Sequence, residues 1–265
     1  MLPELLLSAI TPASRQLRRM GLVTASVGLW SRNFRQSAQW KPHYARCHAV
    51  VRRAVEGLPS RRTVAVLGSG LAKDIPMRDL LAAFGRVVLV DAVHLPTVRL
   101  RYALDRQVSF LTLDLSGMAG WLAGGTAGRV APLGPLAADP ALDLVISANL
   151  LSQIPIGVAT FLEDHPARAA ALPADILTRS VQGHLDDLAT FRCRVCLLTD
   201  TAMTERDRTG AVTDTLDLMR GVPLPRPDEA WDWTVAPFGE VDRTHEYVHR
   251  VQAYAQWDAA RRGGP

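Results

Sequence analysis

Thr63–Pro76 reads TVAVLGSGLAKDIP, and Arg86–Asp91 reads RVVLVD. Val64, Ala65, Val66 and Leu67 form a short, fully apolar run, the pattern of a central parallel strand covered on both faces. Gly68 and Gly70 then supply backbone angles that a Cβ forbids and let a ligand approach the main chain. After Pro76, which suits a first helical turn, Met77, Leu80, Leu81 and Phe84 fall on one helical face. A second apolar strand follows and closes on Asp91. Strand, glycine turn, helix, strand and terminal acid together mark a sheet edge that holds a nucleotide-like cofactor.

The loop discriminates among cofactors. A dinucleotide loop is G-x-G-x-x-G, but position 73 is Lys and Asp74 follows it. A carboxylate beside a pyrophosphate is electrostatically unfavourable, so a cofactor without phosphates fits better. On these residues the chain resembles the class I S-adenosylmethionine-dependent methyltransferases. Gly68-Ser69-Gly70-Leu71-Ala72 matches their first motif with Ala in the last position, and Val66 stands where the family carries an acidic residue. The resemblance implies that Gly68, Ser69 and Gly70 flank the methionine part of the cofactor, with Asp74 as a substitute anchor for its ammonium group. It implies that Asp91 accepts from the ribose hydroxyls, that Asp114 in SFLTLDLSG lies near the adenine, and that Asn149 in DLVISANLLSQIP closes the fourth element. It covers about residues 61 to 257 and names the superfamily, not a subfamily.

The implied fold is α/β: a Rossmann-like methyltransferase sheet, mostly parallel with a C-terminal antiparallel strand pair, plus a helical N-terminal cap. The division reads 1–60 for the cap and 61–265 for the α/β domain. In the cap, Arg15, Arg18 and Arg19 cluster, and Trp30, Arg32, Arg35, Trp40, Lys41 and His43 mix aromatic with basic character. Two readings stand side by side: a solvated face, or a lid in which Arg32, Arg35, Trp40 and His43 meet an anionic or aromatic acceptor. Cys47, Val50, Val51 and Ala54 share one helical face, which should pack on the sheet.

Further along, His94 either faces substrate or finishes a turn. Residues 117–135 are glycine-rich without a clear period. Asn149, Ser152 and Gln153 stand where ligands bind in open α/β sheets, outside the strand ends, or Asn149 or Ser152 caps the next helix. His184 reads as a rim residue. Strand 5 is expected to end at Thr199-Asp200, followed by a polar, Pro-rich connection over 201–230 with a helical portion at Asp214–Met219. Trp231, Trp233 and Val235 alternate as in a half-buried strand.

The length of 265 residues suits one substantial core with an appendage. A hydrophobic fraction of 48% excludes a disordered chain, and a net charge of +4 permits an anionic partner without requiring one. Three scattered cysteines exclude a disulfide framework, and Cys193-x-x-Cys196 lies in an apolar run that favours ordinary buried thiols. With neither a basic region before Leu5–Leu7 nor a long apolar span, the expectation is a cytoplasmic protein with no membrane segment. Its oligomeric state is left open.

His245-Glu246-Tyr247-Val248-His249 matches H-E-x-x-H, the zinc-protease pattern, which requires a helix. Here it falls in a segment with strand spacing, so no metal is expected. The reading is S-adenosylmethionine-dependent methyl transfer to a small-molecule, protein or RNA acceptor, with no catalytic acid or base identified. Two alternatives remain: an inactive methyltransferase-like binding or assembly protein, motivated by Val66 and Ala72, and an NAD(P)-dependent oxidoreductase.

Overall fold

A computed structural model describes residues 2–125 and 128–258. Four helices come first: α1 (Leu2–Ile10), α2 (Arg15–Arg19), α3 (Leu22–Gln36) and α4 (Lys41–Val55). Then β1 (Thr63–Leu67), α5 (Met77–Ala83), β2 (Arg86–Asp91), α6 (Pro96–Arg101) and β3 (Val108–Thr112) alternate as the apolar runs predict. After two short helices, α7 (Ala119–Leu122) and α8 (Gly134–Ala137), come β4 (Leu142–Ala148), α9 (Gln153–Asp164), α10 (Pro166–Ala169) and α11 (Ile176–Ala189). The chain closes with β5 (Arg194–Asp207), β6 (Val212–Asp217), β7 (Glu229–Ala236) and β8 (His245–Tyr254).

The strands form one sheet in the order β3-β2-β1-β4-β5-β8-β7, with β6 pairing β5 off that path. The ladders from β3 to β5 are parallel, and β8 runs antiparallel to both β5 and β7. This is the Rossmann-like methyltransferase sheet with its C-terminal antiparallel pair. The order reverses at β1, so the crevice for a ligand opens outside the carboxyl ends of β1 and β4.

All five residues of β1 are buried because both faces are covered. Val64 and Val66 join Cys47, Val50, Val51 and Ala54 of α4 and Met77 and Leu80 of α5. Ala65 and Leu67 join Val181, Leu185 and Leu188 of α11 on the opposite face. The α4 stripe therefore packs on the sheet as its spacing requires. Helices α1 and α3 pack on another surface: Leu7, Val23 and Val27 meet Leu71, Val93, Leu95 and Val98 around the glycine loop and α6.

Three local expectations are corrected. β5 does not stop at Asp200 but continues to Asp207, and Val212–Asp217 is a strand rather than a helix. The reason is pairing: β8 supplies a partner from Leu197 to Asp207, and β6 pairs the other edge of β5 beyond the end of β4. His184 is fully buried rather than at a rim, because Ser147 on β4 lies 3.0 Å from its Nε2. Within the glycine-rich segment, residues 126 and 127 lie outside the described residues. No helix among the described residues is long and apolar enough to cross a membrane.

Candidate active site

The crevice begins at the loop after β1. Gly68 takes φ +70°, and a Cβ there would lie 2.7 Å from the Cβ of Leu150, so only glycine fits. The amides of Gly68 and Ser69 both donate to the Val90 carbonyl, which bends the chain back over β2. Ala72 also sits in the left-handed region at φ +51°, where an alanine is strained by about 1 kcal/mol or more. A glycine would hold that angle without strain, which is the conformational counterpart of the missing third glycine in the motif.

Asp91 ends β2 beside this loop. Its Oδ2 accepts from the Gly70 amide at 2.8 Å and its Oδ1 from the Val93 amide at 3.3 Å. Burial pushes the carboxyl above its usual range, against the pull of the Gly70 amide and of His94. His94 is itself buried and neutral-favouring: burial lowers its pKa, and Nε2–H donates to the Leu111 carbonyl at 3.1 Å, leaving Nδ1 buried without a protein partner.

Across the crevice, Asn149 follows β4 with φ +49°. Its backbone amide donates to the Leu198 carbonyl at 2.9 Å, and its side-chain Nδ2 donates to Asp74 Oδ2 at 2.7 Å. Burial raises the Asp74 carboxyl, and the Asn149 bond opposes that shift. Asn149 Oδ1, Ser69 Oγ and Ser152 Oγ are buried without hydrogen-bond partners. Gly68, Ser69, Gly70, Asp74, Asp91 and Asn149 are thus brought to one edge of the sheet. The glycine loop and its unpartnered acceptors suit a cofactor that carries an ammonium group and ribose hydroxyls, since buried polar atoms call for partners.

The remaining site residues are placed differently. Asp114 Oδ1 accepts from the Ser116 amide and hydroxyl, and Oδ2 accepts from the Ala119 amide at 2.8 Å, so the carboxylate organises the start of α7. Gln153 is exposed at the first turn of α9. Arg35 binds Glu240 on the β7–β8 connection, with Arg32 at 3.9 Å from the same carboxylate. Trp40 is 1% exposed and donates to the Val235 carbonyl at 3.2 Å, making it a core residue under β7. His43 is buried too: it stacks on Trp233 with ring centres 3.8 Å apart, and its Nδ1 accepts from Trp231 Nε1 at 3.2 Å. Burial pushes its pKa down to about 4.

Two residues given no role from sequence stand out. Asp200 is 1% exposed, with Oδ2 2.9 Å from His249 Nδ1. Asp200 closes the expected strand 5, a position that carried its own signal. His249 belongs to the HEYVH motif, which lies on β8, and the metal question drew attention away from it.

No protein-family model matches the chain, and no curated protein matches it. Among solved structures, the N-methyltransferase NodS from Bradyrhizobium japonicum WM9, in complex with S-adenosyl-l-homocysteine, is 10% identical. The match covers 78% of this chain and 85% of that one, with a TM-score of 0.36. DhpI, in its complex with SAM and HEP, is 15% identical over 90% of this chain and 99% of its own, with a TM-score of 0.40. The 1,6-didemethyltoxoflavin-N1-methyltransferase of Burkholderia thailandensis is 14% identical over 84% and 87%, with a TM-score of 0.34. The fold itself is read directly from the ladders of this chain.

Proposed function

We propose that this protein binds S-adenosylmethionine in the crevice between β1 and β4 and transfers its methyl group to an acceptor. The observation that carries the reading is the clasp between Asp91 and the Gly70 amide, which sets a half-buried carboxylate against a glycine cradle. Asp91 has lone pairs left for ribose hydroxyls. Asn149 Oδ1 and the Asp74 carboxylate are the acceptors available to the methionyl ammonium in place of an acid at Val66. Ser69 Oγ offers one further polar contact.

When bound, the sulfonium supplies an activated methyl and leaves as a neutral thioether. The protein then has to align the acceptor and exclude water. The cap contributes apolar cover: Leu29 of α3 packs over Gly70, and Ser26, Leu29, Gly70, Leu71, Val93 and Leu95 enclose a cavity of about 20 Å³. Since Arg32 and Arg35 are engaged by Glu240, an anionic acceptor group would meet them only in competition with that carboxylate. Three free cysteines, two of them buried, suit the cytoplasm.

Incubation with tritiated-methyl S-adenosylmethionine and separate pools of small molecules, protein and RNA tests the reading. It expects label in one pool, abolished by Gly68→Ala. Label in none, from protein that also fails to bind the cofactor, contradicts it.

A further inference from the structure

The middle of β5 and its partner β8 set an acid and a histidine just past the level of the Asn149 turn. Building on the methyltransferase reading, we propose that His249, oriented by Asp200, takes the proton from a hydroxyl acceptor during methyl transfer. Asn149 pairs with Leu198 through its amide, and Asp200 lies two residues further along β5. Side chains two apart share a face, so Asp200 stands about 7 Å beyond Leu198 at the carboxyl edge of the sheet. Immediately after it the register shifts between Asp200 and Ala202, a bulge of the kind that re-aims side chains beside active sites.

The tautomer follows from the partner. The Asp200 carboxylate accepts, so His249 Nδ1 carries the hydrogen and Nε2 holds a free lone pair. Asp200 Oδ1 is buried without a partner, which leaves that carboxylate under-satisfied until a charge develops on the imidazole. The His249 side chain is 9% exposed. The groups facing it are Asp200 from β5, the Trp233 ring from β7 at 5.9 Å, and His43 from α4, kept neutral by burial. On the same face of the sheet, Cys47 of α4 lies 3.5 Å from His43.

The acceptor class follows from what a base is needed for. An unprotonated amine attacks with its own lone pair, whereas a hydroxyl gains from losing its proton as it attacks. The proton passes to His249 Nε2, the oxygen bonds the methyl carbon, and the carbon–sulfur bond breaks with its electron pair going to sulfur. The Asp200 charge stabilises the imidazolium, which then returns its proton to solvent.

The test uses the full chain, tritiated-methyl S-adenosylmethionine, and two probes of matched shape, 2-naphthol and 2-naphthylamine. Wild type should methylate the naphthol, and His249→Gln should do so about a hundredfold more slowly, within the range of general-base contributions, with cofactor affinity held within twofold. Nitrogen-15 NMR of wild type should show the proton of His249 on Nδ1. In Asp200→Asn that proton should no longer be fixed on Nδ1, and naphthol methylation should slow with cofactor affinity held within twofold. Equal rates in His249→Gln, a proton on Nε2, or naphthylamine as the one probe methylated would each overturn the proposal. So would cofactor binding with neither probe methylated. Failure to bind the cofactor at all would instead defeat the methyltransferase reading on which the proposal rests.

Discussion

The Gly70 amide donates to the Asp91 carboxylate at 2.8 Å, joining the loop after β1 to the end of β2. One carboxylate therefore shapes the glycine loop and faces the crevice. Asp91→Ala should cost about 1–2 kcal/mol of stability, because a half-buried N–H loses its acceptor. Asp91→Asn should keep most of that stability yet still lose at least tenfold in cofactor affinity. Denaturant melts and binding titrations on both variants separate the two roles, and full affinity in Asp91→Asn would remove the ribose assignment.

Gly68→Ala combines a left-handed φ with a Cβ placed 2.7 Å from Leu150 Cβ. The expected loss is about 2–3 kcal/mol, the sum of backbone strain and displacement of Leu150. Leu150→Ala in the same chain should recover part of it. Thermal unfolding of the single and double variants gives the comparison, and a fully stable Gly68→Ala would show the loop to be more pliable than its geometry indicates.

Buried histidines make the fold sensitive to acid. Burial pushes His43 down to about 4 and His184 to about 3, against an unfolded value near 6.5. Below pH 6.5 the unfolded chain takes up protons that the folded chain refuses. Each histidine thus favours the folded state above pH 6.5, and stability falls toward pH 4 for His43 and toward pH 3 for His184. The slope is at most about 1.4 kcal/mol per pH unit for each. His184→Gln should flatten the wild-type curve between pH 6.5 and 4, and parallel curves for the two proteins would contradict this.

Much of this arrangement was legible in the sequence, for identifiable reasons. β1, β2 and β4 are apolar on both faces, so their runs are continuous, and Gly68 and Asp91 punctuate them. What escaped was set by tertiary pairing. Asp200 continues into β5 because β8 and β6 flank it, and no local propensity in Thr201–Asp207 announces that. Trp40 and His43 looked like lid residues because their segment is polar around them, but the aromatic faces are spent on Trp233 and Val235. Asp114 has the residue type the family motif wants, and three hydrogen bonds from its own loop hold its carboxylate in place.

The cap is tied to the C-terminal hairpin through Glu240. That carboxylate accepts from Arg35 and Gln36, and the Arg35 bond holds its pKa below the usual range. Arg35 is half exposed, so solvent screening limits the gain, and Glu240→Ala should cost only about 1 kcal/mol. Hydrogen exchange should quicken over the last turns of α3 while the β1–β4 strands stay protected. Unchanged exchange in α3 would show that apolar packing alone holds the cap.

The central claim is that the β1–β4 crevice takes S-adenosylmethionine. Isothermal titration of the full chain with S-adenosylhomocysteine, and in parallel with NAD and NADP, tests it most directly. The account predicts one saturable site for S-adenosylhomocysteine, weakened at least tenfold by Asp91→Asn, and no binding of either dinucleotide. Saturable binding of a dinucleotide without S-adenosylhomocysteine, or no binding of any of the three, would contradict it.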